Sequence, residues 1–312
     1  MPQGSILGPF AFNIDIIDLF LFVSEDIANF ADDNSPYATD MLIEEVIGKL
    51  ENESRILLEW LDINYFKANP DKSHLLLTKD DVSLKVDVGG HTIFNKQQVK
   101  LLGITFDNQL NFNKHVTKLC NTASQKIHAL VRLSNYMNMD KKRQIMKAFV
   151  ESHFGYCSLV WMFHSRSLNS RINRIHERAL RVVYDDYNNS FEELLTRDNS
   201  FTIHERNIKT LAVELYKIVN NISPDIMKAV FQLKPYNRYN SKWIFKTSNV
   251  RTAYHGTESL SFLGPKNWSI LPDNLKSLKS LEDFKREVRK WKPKDCPCRL
   301  CKIYIQGVGF IN

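Results

Sequence analysis

The chain has 312 residues, of which 43% are hydrophobic and 25% charged, a composition typical of a globular protein with two or three units. Its most apolar stretch, residues 10–23, is interrupted by Asn13, Asp15 and Asp18, whereas a membrane helix needs roughly 18 uncharged apolar residues. The first residues lack the basic segment of a secretory signal, and the five cysteines show no paired disulfide pattern. We therefore expect no membrane span and no secretion, but an intracellular location in the nucleus or cytoplasm, where cysteines stay reduced.

The net charge of +7 is unevenly distributed along the chain. Residues 1–110 hold 8 Lys/Arg and 18 Asp/Glu, a net charge of −10, whereas residues 111–312 hold 34 and 17, a net charge of +17. An excess of positive charge in one region is typical of a surface that binds a polyanion such as nucleic acid. The acidic region requires a separate explanation.

The first 110 residues carry the patterns of an α+β region. Apolar residues at helical spacing predict one buried helix over Leu7–Phe22 and an amphipathic helix over residues 41–63. Between them, two strand-like runs around Asp32-Asp33-Asn34 predict a β-hairpin with that turn at its tip. After a turn at Asn69-Pro70-Asp71, short strands are predicted over Leu75–Thr78, Leu84–Val88, His91–Phe94 and Val99–Phe106.

Beyond residue 111 the apolar spacing becomes helical. It predicts helices over residues 116–130, Ile145–Met162 and Ile172–Tyr184, and a helical bundle over residues 111–234. Periodicity weakens over residues 235–312, which predicts a basic C-terminal extension that is ordered in part only against the bundle or a ligand. Helix-start patterns stand at Ser190-Phe-Glu-Glu193, Thr202-Ile-His-Glu205 and Ser223-Pro224.

Two adjacent acids, Asp32 and Asp33, form the sharpest chemical signal. Two carboxylates at the tip of an otherwise apolar hairpin repel each other unless a cation neutralises them. Mg²⁺ binds a few carboxylate oxygens together with phosphates and water, and pairs of such ions about 3.5–4 Å apart promote phosphoryl transfer. The alternative is an ordinary solvated turn.

Four arginines are predicted to form a stripe on one helix. Arg171, Arg174, Arg178 and Arg181 follow each other at steps of three, four and three residues, on the face opposite Ile172, Ile175 and Ala179. Guanidinium groups bind phosphates in a bidentate manner, so the stripe predicts nucleic-acid contact with a steep salt dependence. A solvated helix face is the alternative.

Three cysteines, Cys296, Cys298 and Cys301, are crowded near the C-terminus behind a run of basic residues. Three thiolates hold Zn²⁺ when a fourth ligand comes from elsewhere in the chain. The sequence contains no second Cys pair and no His-x-x-x-His after them, so three reduced thiols are the alternative.

The segment Pro2-Gln3-Gly4-Ser5-Ile6-Leu7-Gly8-Pro9, followed about 25 residues later by Phe30-Ala31-Asp32-Asp33, resembles the reverse transcriptases of non-LTR (LINE-type, jockey-like) retrotransposons. The resemblance implies that Gln3 and Gly4, with Phe30 and Ala31, lie beside the incoming nucleotide. It also implies that Asp32 and Asp33 bind Mg²⁺. A glycine without a Cβ lets the backbone approach a base or phosphate closely.

Two further segments resemble the same family in the same order. Trp60-Leu61-Asp62-Ile63-Asn64 with Asn69-Pro70-Asp71-Lys72-Ser73 is similar to the next palm motif, which implies that Lys72 approaches the triphosphate. Residues 99–107 are similar to the primer-grip hairpin, which implies that Leu102 and Gly103 brace the primer end. An exposed turn lysine and an ordinary core strand are the respective alternatives.

The resemblance implies a partial polymerase palm over residues 1–110, a helical thumb over 111–234 and a basic extension over 235–312. Its implied partners are an RNA template, a DNA primer and dNTPs, with two Mg²⁺ ions as cofactors. In the family the fingers and the first metal-binding aspartate normally precede the Pro-Gln-Gly motif, whereas here only Met1 precedes it. We therefore expect a polymerase truncated within the palm and inactive alone. Two alternatives remain: a non-catalytic nucleic-acid-binding remnant, and a decayed reading frame whose product does not fold stably.

Overall fold

The computed structural model describes residues 5–23, 26–78, 83–235, 243–247, 249–251, 256–293, 296–301, 303–305 and 309–311. The chain is a mixed α+β protein with small two-stranded antiparallel sheets, which confirms the predicted fold class at that level. It divides into two compact units, Met1–Leu110 and Asn111–Asn312.

The first unit combines helices with three β-hairpins, each closed by a two-residue turn. The turns at Gly89-Gly90 and Leu102-Gly103 have positive φ at both residues, the geometry that matches the twist of the flanking strands. The elements are α1 (Leu7–Ile16), α2 (Leu19–Phe22), β1 (Asp26–Phe30), β2 (Asp33–Tyr37), α3 (Ile43–Ile63), a 3-10 turn (Pro70–Lys72), β3 (Lys85–Val88), β4 (His91–Phe94), β5 (Gln98–Leu101) and β6 (Ile104–Asp107).

Helix α3 organises this unit by packing on two small apolar clusters. Near its C-terminal end, Trp60 is buried with Ile16 and Leu19. Near its N-terminal end, apolar residues pack against a second cluster that contains Leu77 and Val86. The amphipathic helix predicted over residues 41–63 is therefore confirmed.

The prediction of one buried helix over Leu7–Phe22 is wrong in two respects. The helix is interrupted between α1 and α2, and among its apolar side chains Phe10, Ile17 and Leu21 are 66%, 69% and 84% exposed. Apolar residues recur around most of the helix, so the described part of the unit covers only the side that holds Ile16 and Leu19.

The strand predicted over Leu75–Thr78 is also wrong. Leu75 makes a single bridge with Asn95, and the buried Asn95 side chain accepts a hydrogen bond from the Leu77 N–H at 2.8 Å. This side-chain bond takes the donor that would continue a ladder, so no strand forms there. The strands predicted over Leu84–Val88 and His91–Phe94 are present as β3 and β4, whereas the single run predicted over Val99–Phe106 is divided by a turn into β5 and β6.

The second unit is mainly helical and is built around the long helix α9. Residues of α9 share one apolar core with Trp268, Phe284 and Cys298, which lie far apart in the sequence. The elements are α4 (Asn113–Leu133), α5 (Met139–Ile145), α6 (Ser158–Trp161), α7 (Arg166–Tyr184), α8 (Phe191–Asp198), α9 (Ile203–Val219), α10 (Asp225–Val230), α11 (Leu260–Ser269), α12 (Asp273–Lys276), α13 (Leu281–Lys290), β7 (Ile303–Ile305) and β8 (Gly309–Ile311).

The single helix predicted over Ile145–Met162 is replaced by several short turns. After α5 the chain forms a π turn (Met146–Val150) and a 3-10 turn (Glu151–Phe154), and Cys157 has a φ of 44°. The Glu151 carboxylate faces inward, where Arg206 donates to it at 2.5 and 3.0 Å. A buried charge must be paired, and the irregular turns bring Glu151 to its partner.

Two of the three predicted helix starts are confirmed. Ser190 with Glu193 begins α8, and Thr202 with Glu205 begins α9, each as a reciprocal capping box. The helix start predicted at Ser223-Pro224 is wrong by one residue, because Pro224 rather than Ser223 occupies the N-cap position of α10.

Candidate functional site

The Asp32–Asp33 pair lies at the exposed end of the β1–β2 hairpin. Phe30 pairs with Asp33, so the turn consists of Ala31 and Asp32, one residue earlier than the sequence predicted. Ala31 has a φ of 53°, and the Asn29 side chain donates to the Ala31 carbonyl at 3.1 Å. Both carboxylates are exposed to solvent.

Of the four residues that the resemblance assigns to nucleotide binding, two lie at the end of this hairpin. Phe30 is the last residue of β1 and is 64% exposed, and Ala31 forms the turn. Gln3 and Gly4 lie outside the described residues. The hairpin therefore presents an aromatic side chain and two carboxylates at one end.

The other residues assigned by resemblance lie on local turns of the same unit. Lys72 is exposed at the end of the 3-10 turn Pro70–Lys72, which begins with the Asn69 side chain accepting from the Asp71 N–H at 3.1 Å. Leu102 and Gly103 form the tight turn between β5 and β6, with φ of 46° and 85°. The hairpin predicted there is present.

The four arginines of the predicted stripe lie on α7, with Ile172, Ile175 and Ala179 buried on the opposite face. Arg174 and Arg178 are exposed, whereas Arg171 and Arg181 are partly buried. Arg171 donates to Asn121 at 2.5 Å and Arg181 to Glu177 at 2.6 Å. Two of the four guanidinium groups are therefore hydrogen-bonded to other side chains of the protein.

The C-terminal cysteines meet a histidine in the second unit. Ligand atoms of His204, Cys296, Cys298 and Cys301 all lie within 4.8 Å of one another, and only Cys301 is exposed. Among the residues that the structure describes, this is the only group of three or more His, Cys, Asp or Glu side chains arranged to hold a metal. We call these four residues the Cys3His cluster.

The cluster is assembled from two parts of the chain. His204 is the second residue of α9, and its Nε2 lies 3.3 Å from Sγ of Cys298 and 3.8 Å from Sγ of Cys296. Sγ of Cys298 lies 3.4 Å from that of Cys296 and 3.8 Å from that of Cys301. A cleft of about 250 Å³ beside the cluster is lined by His204, Cys296 and Cys301, among other residues.

Mutual interactions shift the pKa values of the cluster in opposite directions. Hydrogen bonds from Cys296 and Cys301, together with His204, lower the pKa of the Cys298 thiol. Burial opposes protonation of His204, but Cys298 and Cys301 outweigh it and raise the pKa of its imidazole to about 10. The cluster therefore favours a thiolate, the form in which cysteine binds metals.

Sequence reasoning found the three cysteines but missed His204. The residue appeared only inside the capping-box pattern Thr202-Ile-His-Glu205, where a histidine has no role. It lies 92 positions before Cys296, so no local spacing connects the two. Only the packing of the C-terminal segment on α9 brings them together.

The protein is thus an α+β protein of two units. One unit has a β-hairpin with two carboxylates at its end, and the other has a cluster of four side chains that could bind a metal. No helix in the described parts of the chain is long and apolar enough to cross a membrane. No family model matches the chain, and neither does any solved structure.

The chain is similar to several curated polymerases of mobile elements. It is 26% identical over 200 residues to the probable RNA-directed DNA polymerase from transposon BS of Drosophila melanogaster, covering 59% of this chain and 22% of that protein. The RNA-directed DNA polymerase from mobile element jockey of Drosophila funebris is likewise 26% identical over 200 residues, with 59% and 21% covered. For the probable polymerase from transposon X-element of Drosophila melanogaster, the identity is 22% over 193 residues.

These relatives confirm the predicted resemblance to the reverse transcriptases of jockey-like non-LTR retrotransposons. The chain spans about a fifth of the length of the curated relatives it matches, at 21–22% coverage.

Proposed function

We propose that this chain is part of an RNA-directed DNA polymerase of a mobile element, with its first unit contributing to the polymerase palm. The observation that carries the proposal is the similarity to RNA-directed DNA polymerases, together with two exposed carboxylates at the end of a β-hairpin. In this role Asp32 and Asp33 would hold Mg²⁺, which would supply charge stabilisation for the transfer of a nucleotide to a primer 3′-OH. The implied partners are an RNA template and a DNA primer.

The surrounding residues take supporting roles in this proposal. Gln3, Gly4, Phe30 and Ala31 position the nucleotide, and Lys72 approaches the triphosphate as a point charge. The β5–β6 turn at Leu102-Gly103 braces the primer end. Its tight geometry supports the role, because such a turn brings backbone close to a ligand.

We further propose that the chain alone does not extend a primer. Phosphoryl transfer by two metal ions needs carboxylates on more than one side of the ions. In the described residues, no third His, Cys, Asp or Glu joins Asp32 and Asp33 in a group able to hold a metal. The purified chain with primed RNA, dNTPs and Mg²⁺ is therefore expected to incorporate no nucleotide, and measurable incorporation would contradict this part of the proposal.

Metal binding at the hairpin can be tested separately from activity. Mn²⁺, a paramagnetic substitute for Mg²⁺, is expected to broaden the NMR signals of residues 30–34 in the wild-type chain. Replacing Asp32 and Asp33 by Asn should abolish the broadening. The matched control is Glu44→Gln with Glu45→Gln, which removes another exposed adjacent acidic pair, on α3. Equal broadening in wild type and the Asp32/Asp33 variant would refute the assignment.

A second candidate function is nucleic-acid binding without catalysis. It is favoured by the net charge of +17 over residues 111–312 and by the exposed guanidinium groups of Arg174 and Arg178. The full chain should bind labelled RNA with an affinity that falls steeply with salt concentration. Replacing Arg174 and Arg178 by Gln should weaken binding and flatten this dependence, whereas an unchanged slope would exclude the stripe as the contact.

A further inference from the structure

The Cys3His cluster has the composition and dimensions of a zinc site. Zn–S bonds of about 2.3 Å and a Zn–N bond of about 2.0–2.1 Å give a tetrahedron with S···S edges of about 3.8 Å and S···N edges of about 3.6 Å. The observed S···S separations of 3.4 and 3.8 Å and S···N separations of 3.3 and 3.8 Å lie close to these edges. All four ligand atoms lie within 4.8 Å of one another, so a small inward movement of the side chains would let one ion at the centre reach all of them.

We propose that His204, Cys296, Cys298 and Cys301 bind one Zn²⁺ ion, which fastens the segment 296–301 to the first turn of α9. The proposal is independent of polymerase activity, because none of these residues belongs to the unit that carries Asp32 and Asp33.

The donor set selects zinc among the common biological metals. Three thiolates and one imidazole are soft and borderline ligands, which suit Zn²⁺ in tetrahedral geometry and exclude Mg²⁺ and Ca²⁺, which prefer oxygen. Four protein ligands also leave no open coordination position for water or substrate. The site is therefore structural rather than catalytic.

A disulfide does not account for the cluster. The nearest sulfur atoms, those of Cys296 and Cys298, are 3.4 Å apart, whereas a disulfide bond is about 2.05 Å long. A disulfide between any two of the cysteines would also leave the third thiol and the His204 imidazole outside the bond. All four groups converge on one point, which a shared ion explains and a pairwise bond does not.

The surroundings support a site that is buried yet accessible to an ion. Cys296 and Cys298 are part of the apolar core with α9 and Trp268, and His204 is 6% exposed. The cleft beside the cluster gives an entry path, and Cys301 is exposed. The imidazole and thiolates also lie at the N-terminal end of α9, where the helix dipole favours negative charge.

Zinc at this position would fix the segment 296–301, which follows helix α13 in the chain. That helix already packs on α9 through Phe284 and Val288, and Lys209 donates to the Arg289 carbonyl at 2.7 Å. Metal bonds from residues 296–301 to His204 would add a second attachment on α9, about 1.4 turns before Lys209. The loss of zinc is expected to release this segment before the helices separate.

Metal content gives the first test. The full chain, purified without chelator, should contain about one Zn²⁺ per chain by mass spectrometry of the metal, as expected for four ligands around one ion. The cobalt-substituted chain should show the intense visible absorption of tetrahedral Co²⁺ bound to thiolates. A folded chain that binds neither metal would overturn the proposal.

Cysteine reactivity tests the proposed ligands in the wild-type chain. This experiment therefore does not require a substituted variant to fold. With zinc bound, an alkylating reagent should modify the exposed Cys157 but spare Cys296, Cys298 and Cys301. After chelation the exposed Cys301 should react first, and Cys296 and Cys298 should follow as the segment 296–301 is released, while the buried Cys120 stays protected. Equal reactivity of Cys301 before and after chelation would contradict the proposal.

Substitutions complete the test. Cys298→Ser and His204→Gln should each lower zinc content at least tenfold under dialysis against a weak chelator, whereas the matched control Cys157→Ser should retain one ion. Full zinc occupancy in folded Cys298→Ser protein would exclude the cluster as the site.

Discussion

Replacing Glu151 by Gln should cause a large and pH-dependent loss of stability. The Glu151 carboxylate is 9% exposed and contacts two partners from other helices. It accepts two hydrogen bonds from Arg206 on α9, and one of its oxygens lies 3.1 Å from Nε2 of the buried His176 on α7. The variant keeps the shape of the side chain but removes the charge that joins these helices.

The size of the effect follows from the ionisation of this carboxyl group. Burial would raise its pKa, but His176 and Arg206 outweigh burial and hold it at about 2, against an ordinary value of 4.5. Since a tenfold change in an equilibrium is worth about 1.4 kcal/mol, the ionised form stabilises the fold by about 3 kcal/mol. Breaking a buried ion pair from one side typically costs a similar amount, about 3–5 kcal/mol.

The sign of the pH dependence is fixed by the lowered pKa. A carboxyl group with a lower pKa in the folded state contributes its stability in full above the unfolded value of 4.5 and loses it as the pH falls toward 2. The free energies of unfolding of wild type and Glu151→Gln should therefore differ most near neutral pH and converge below pH 4.5. Urea unfolding followed by circular dichroism at several pH values measures both curves.

A matched control separates burial from charge. Glu282→Gln removes one partner of an ion pair with Lys285 at 2.8 Å, but the Glu282 side chain is 78% exposed. This substitution should change stability little, because solvent screens the pair. A gap between wild type and Glu151→Gln that stays constant from pH 7 to pH 3 would show that lost packing, and not ionisation, causes the destabilisation.

Three further substitutions test the packing described above by the same unfolding measurement. Gly264→Ala would place a Cβ 2.4 Å from Cε1 of the buried Phe231, so a loss of about 1–3 kcal/mol is expected, and unchanged stability would show that the ring moves freely. Gly48→Ala is its control, because nothing lies within 4 Å of the new Cβ in the second turn of α3, and a gain of about 0.5–1 kcal/mol is expected. Ser190→Ala removes the side-chain cap of α8 and should cost about 1 kcal/mol, whereas no loss would mean that the Glu193 contact alone is sufficient.

Several local features were predictable from the sequence because neighbouring residues determine them. The hairpin around Asp32 and the capping boxes of α8 and α9 depend on residues within a few positions of one another. The resemblance to reverse transcriptases also rested on short segments and is confirmed by the relatives. The roles assigned to individual residues remain predictions.

Features that depend on distant contacts could not be predicted in this way. The helix predicted over Ile145–Met162 is interrupted where Glu151 turns inward to meet Arg206, 55 positions later. The apolar pattern of Leu7–Phe22 indicated burial, but it could not tell how much of the helix would be covered. In both cases the outcome is decided by partners that local periodicity does not contain.

The sequence by itself determined the amphipathic helix α3, the hairpin around Asp32, the division of charge and the family resemblance, because each is recorded in nearby residues or in composition. Only the tertiary structure identified His204 as the fourth member of the Cys3His cluster. A metal site is defined by the positions of ligand atoms in space, and the packing of residues 296–301 against α9 closes a gap of 92 positions along the chain.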